Sequence, residues 1–97
     1  MLAAAVAVVV GLALASAGHA AAARSCGLTP RIDGVRYDVR ETRGTVSCKT
    51  VKRVVTRFLR SGEATQPWVC NRGHGSSPYA ASCARGKRVL VRVYAPT

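Results

Sequence analysis

TVSCKTVKRVVTRFLRSG, residues 45–62, is the stretch whose reading decides the fold. Val51, Val54, Val55, Phe58 and Leu59 recur at steps of three and four, which places them on one face of an α-helix. Ser47 stands where an N-cap accepts an orphan backbone N–H, and Gly62 where a C-terminal stop is expected. Cys48 falls in the first turn, so the helix can be tied covalently as well as packed. Lys49, Lys52, Arg53, Arg57 and Arg60 occupy the opposite face.

On either side of the helix the period changes from 3.6 to 2. Residues 35–40, VRYDVR, alternate Val35, Tyr37 and Val39 against charged neighbours and read as a half-buried strand. Residues 41–44 then read as a turn, and the GLTPRIDG stretch before the strand as an ordered arm or loop. After the helix, 61–67 is a polar connection into a short strand at 68–70, where Trp68 and Cys70 share a face. Residues 71–78, NRGHGSSP, are the most loop-like of the chain. A weak strand at 79–83, a turn at 85–87 and a strand at 88–94 complete the order. The expected fold is α+β: one amphipathic helix packed on a small, mainly antiparallel sheet in the order β-α-β-β-β.

The N-terminal residues differ in kind. Residues 2–15 are entirely Leu, Ala, Val and Gly. That run matches the apolar core of a secretory signal and is shorter than the ~20 residues a spanning helix needs. Ala15-Ser16-Ala17 and Ala21-Ala22-Ala23 both fit an A-x-A cleavage site, and cleavage is expected between Ala20 and Arg24. No Lys or Arg precedes the run, and an uncleaved anchor is the alternative. The expected organisation is a signal peptide over 1–23 and one small secreted domain over 24–97, present as a monomer.

All 15 Lys and Arg residues fall within 24–97, against 4 acidic residues, for a net charge of +11. Arg supplies 12 of the 15. Such Arg- and Ala-heavy usage is that of a high-GC bacterial genome, so the charge has a compositional as well as a functional explanation.

A domain this small is marginal on its core alone and is normally stapled. Cys26, Cys48, Cys70 and Cys83 include no C-x-x-C pair, which disfavours zinc, and after an export signal they read as two disulfides. If the strand after the helix runs parallel to the strand before it, Cys48 and Cys70 arrive at one end and Cys26 and Cys83 at the other. Cys48–Cys70 with Cys26–Cys83 is therefore the preferred pairing, and Cys26–Cys48 with Cys70–Cys83 the second.

Val46-Ser47-Cys48 leading the helix, then Trp68-Val69-Cys70, then Cys83-Ala84-Arg85-Gly86 before a basic last strand, resembles a group of uncharacterised small secreted disulfide-containing proteins of high-GC bacteria. The resemblance spans nearly all of 24–97. It implies export, disulfides and an α+β fold, and it carries no catalytic residue.

Candidate sites follow from charge. Lys49, Lys52, Arg53, Arg57 and Arg60, with Arg36, Arg40, Arg88 and Arg92 on the outward strand faces, are candidates for binding an anionic cell-wall polymer, an acidic lipid surface or extracellular nucleic acid. A second reading makes 71–78 the recognition loop of a secreted protein-binding module or inhibitor, braced by Cys70. A third centres a small hydrolase on His74. It ranks last, because no second histidine and no G-x-S-x-G elbow lies in 24–97. Tyr94 is the one aromatic whose strand position points it outward. The expectation is a non-enzymatic cationic domain with no cofactor and no metal.

Overall fold

A computed structural model describes residues 23–73 and 77–96. The apolar run expected to be a signal peptide, apart from Ala23, lies outside the described residues, as does His74 with its neighbours 75 and 76.

Helix α1 (Cys48–Ser61) forms where its period placed it. Ser47 Oγ accepts from the Thr50 N–H at 3.3 Å, and Gly62, at φ 80°, donates its N–H to the Phe58 carbonyl at 2.8 Å. Val51, Val54, Val55, Phe58 and Leu59 are all buried. Each large apolar side chain fully removed from water contributes roughly 1.5–3 kcal/mol, so this stripe is what holds the helix to the sheet. Among the described residues no helix is long and apolar enough to cross a membrane.

The sheet has five strands, β1 (Arg24–Leu28), β2 (Asp38–Arg43), β3 (Val69–Arg72), β4 (Ala81–Arg85) and β5 (Val89–Tyr94). Their spatial order is β1-β2-β5-β4-β3, and every neighbouring pair is antiparallel. Val39, Ala81, Cys83, Val89, Val91 and Val93 face α1 and form the core with it, together with Trp68 and Ile32. The fold class is the expected one: among the described residues, one helix packs on an antiparallel sheet with two disulfides.

Several boundaries differ from expectation. The strand before the helix covers 38–43 rather than 35–40, because Val35 is taken by a tight turn. Ile32 and Val35 exchange backbone hydrogen bonds of 2.8 and 3.0 Å around Asp33 and Gly34, at φ 52° and 82°. Positive φ at both central residues is what a type I′ hairpin requires and what an Asp-Gly pair supplies. The turn expected at 41–44 does not form: residues 41–43 belong to β2, and the chain leaves the sheet at Gly44, whose φ is 107°. A Cβ there would come within 3.0 Å of both the Arg88 carbonyl and Val89, so only glycine lets β2 leave the sheet at this point. The N-terminal strand β1 is an addition, paired along β2 with a bulge between Ser25 and Gly27. At the other end of the chain, Asn71 and Arg72 belong to β3 rather than to the loop, while Arg88 lies in the β4–β5 turn rather than in β5.

The disulfides correct the preferred pairing. They join Cys26 to Cys48 and Cys70 to Cys83, not Cys48 to Cys70 and Cys26 to Cys83. The expectation rested on β3 running parallel to β2. With β5 and β4 between them, each step reverses direction and β3 ends antiparallel to β2. Cys70 and Cys83 then stand opposite each other in register on adjacent strands, with Cα atoms 4.0 Å apart. Cys26, on β1, lies beneath the first turn of α1, with its Cα 5.2 Å from that of Cys48. The 5.2 Å separation lies within the usual span of a bridge and the 4.0 Å one is shorter than usual, and no free cysteine remains.

Candidate anion-binding groove

The Asp33-Gly34 hairpin folds the arm back beside α1 and makes one wall of an open groove of about 790 Å³. The arm is held by backbone bonds. Thr29, which is buried, donates its N–H to the Tyr37 carbonyl at 2.9 Å and receives the Tyr37 N–H on its hydroxyl at 3.1 Å. Leu28, Thr29, Pro30 and Arg36 line the arm side. Lys49, Lys52, Arg53, Thr56, Arg57, Arg60 and Ser61 line the helix side.

The five helix cations expected to act together therefore do share one site, and Arg36 joins them from the opposite wall. Little neutralises this charge. Arg57 pairs with Glu63 at 3.3 Å on the exposed surface, a contact of small net worth. Arg60 donates to the Arg31 carbonyl at 3.4 Å. Among the described residues, Arg36, Lys49, Lys52 and Arg53 make no ion pair. Lys49 and Arg53, and Arg53 and Arg57, are like charges one helical turn apart, each pair costing roughly 0.2–0.5 kcal/mol. Lys49 also opposes the helix dipole in a first turn that has no acidic residue. An anion seated in the groove would relieve both repulsions.

Outside the groove lining, a buried anchor at the start of α1 comes from a residue that sequence reasoning placed in a turn. Glu41 is on β2, its side chain fully buried. One carboxylate oxygen accepts from Arg24 Nε at 2.8 Å and Nη2 at 2.6 Å, and the other accepts the Val46 N–H at 2.9 Å. The same Arg24 donates to the Val46 carbonyl at 2.6 Å. One carboxylate thus joins the start of β1, the middle of β2 and the segment that feeds α1, and the Cys26–Cys48 bridge ties β1 to α1 covalently. Both of its oxygens are engaged by Arg24 and Val46, and Glu41 is not part of the groove lining.

The remaining arginines proposed as contacts lie elsewhere. Arg88 is exposed in the β4–β5 turn. Arg40 and Arg92 sit opposite each other on the sheet face turned away from α1. There Arg92 lies over the Tyr79 ring at 4.8 Å and Arg40 over the Tyr94 ring at 5.8 Å, while the two rings meet edge to face at 6.4 Å. Arg40 also donates to Asp38 at 3.0 Å. Tyr94, expected to point outward, does so into this stack. Arg72 over Phe58 and Arg85 over Trp68, at 5.1 and 5.5 Å, repeat the arrangement at the edge of the core. The recognition-loop reading keeps only residues 73–78, with the Gly73 N–H bound to the Ala80 carbonyl at 2.8 Å at its base. Compared with known proteins, the chain matches no family model, no curated protein and no solved structure.

Proposed function

We propose that the protein is a non-enzymatic, extracytoplasmic cationic domain that binds anionic polymers or surfaces of the cell envelope through the α1 groove. One observation carries this reading: six cations from two separate elements line one groove, and its lining includes no carboxylate. The apolar N-terminal run and the two disulfides support an exported protein, since such bridges persist in oxidising compartments. The charge is arranged as well as abundant, which weighs against composition alone as its cause.

The test is binding of the oxidised chain to soluble polyphosphate across a salt series. Affinity falls steeply with salt as counterions are released, and the slope becomes shallower when Lys49, Lys52 and Arg53 are replaced by Gln. Affinity that ignores salt, or a slope unchanged by the triple replacement, would refute the reading.

A further inference from the structure

We infer that the groove seats the headgroup of an acidic phospholipid at a membrane surface, with its cations on the phosphate and Leu28 and Pro30 toward the acyl boundary. This deepens the anion-binding reading and rests on it. A pure polyanion needs only charge on a surface, yet the lining of this shallow, open groove is mainly apolar. The long stems of Lys52, Arg53 and Arg57 supply carbon while their charged ends stay at the rim, as lysine and arginine do at lipid interfaces. Leu28 adds a side chain that is 51% exposed. Among the described residues, the only other exposed large apolar side chain is Val69, on the opposite edge strand. Cations beside an exposed Leu and a Pro match a phosphate with hydrocarbon attached to it.

The openness of the groove chooses the source. A free amphiphile bound here would leave its chain in water, because the walls do not close over it. A lipid in a bilayer keeps its chain in hydrocarbon and presents only the phosphate and glycerol. The docking is peripheral, consistent with the absence, among the described residues, of any helix able to span.

The experiment compares the chain on phosphatidylcholine vesicles with and without phosphatidylglycerol, and on polyphosphate at the same salt. Binding to the neutral vesicles reports whatever the apolar N-terminal run contributes, and the phosphatidylglycerol-dependent increment reports the groove. That increment is expected to fall about fivefold for each cation removed in Lys52→Gln and Arg53→Gln. Leu28→Trp supplies a second readout: emission of the new indole shifts to the blue on phosphatidylglycerol vesicles and not on polyphosphate. Trp68 is 6% exposed and adds no shift of its own. An increment that survives both cation replacements, or an indole that stays in water on the acidic vesicles, overturns the inference. Polyphosphate binding with no lipid increment overturns it while leaving the anion-binding reading intact. Failure to bind either probe removes both.

Discussion

Arginine is used in opposite ways on the two sides of this sheet. On the helix side, Arg36, Arg53 and their neighbours stand over a groove with no ring or carboxylate beneath them, apart from the Arg57–Glu63 contact. On the open side, Arg40 and Arg92 lie across Tyr94 and Tyr79 and shield the aromatic surface of a sheet face that, among the described residues, no helix covers. The residue type is the same and the consequence is not. A guanidinium resting on a ring has a partner of its own and covers apolar area. A guanidinium in a row of like charges raises the energy of the empty site. Net charge alone cannot separate these uses.

The comparison is tested most severely through the disulfides. Under the loop-entropy account, removing Cys26–Cys48 or Cys70–Cys83 by paired replacement with Ser costs roughly 3 kcal/mol of stability in either case. Chemical denaturation should find the two losses similar. Polyphosphate affinity should separate them, because Cys26–Cys48 ties α1 to the arm beside the groove and Cys70–Cys83 lies at the far end of the sheet. Equal losses of affinity in the folded variants would show that the groove is not a local structure.

Glu41→Gln is the next largest change. It keeps the shape but removes the charge that Arg24 and the Val46 N–H address, at a cost of roughly 2–3 kcal/mol. Arg24 is half-exposed and can rehydrate, which keeps the loss below that of a fully buried pair broken on one side. A denaturant midpoint within error of wild type would mean that the bridge, and not the carboxylate, fixes the start of α1 against β1.

Replacing Arg40 and Arg92 together by Gln should lower stability by about 1–2 kcal/mol through the lost ring contacts and leave salt-dependent polyphosphate binding unchanged. Replacing Lys52 and Arg53 by Gln should do the reverse. If the open-face pair proves the more important for binding, the assignment of the two sides is inverted.

The helix and its cations were legible because periodicity of 3.6 over a well-capped segment specifies both faces at once: the residues that pack and the residues that remain outside. The Asp33-Gly34 pair was legible in principle, since a primed turn suits it, yet Pro30 nearby made the stretch read as a loop, and Arg36, a candidate contact, was placed on a strand face rather than across from the helix cations. β1 carries almost no pattern. Its bulge breaks the alternation, and its one buried side chain is Cys26. Glu41 was unreadable for a different reason: a buried carboxylate looks like a turn residue until its partner Arg24, seventeen positions away, is placed beside it. The disulfide pairing failed on strand order, which depends on β5 inserting between β2 and β4, a non-local choice that local sequence does not encode.

The smallest predicted effect is the most discriminating, because it separates stability from binding at one position. Lys49 sits in the first turn of α1, where the helix dipole favours a negative charge, and one turn before Arg53, where a carboxylate would attract rather than repel. Lys49→Glu should therefore raise stability by about 1 kcal/mol while weakening polyphosphate binding. A sequence shaped only by composition has no reason to hold a residue that costs stability at a site where it does nothing else. If the variant is more stable and binds as wild type does, Lys49 is a solvated cation, and the groove's charge reduces to the residues nearer its centre. If it is more stable and binds less, the groove has been kept charged against the preference of its own helix.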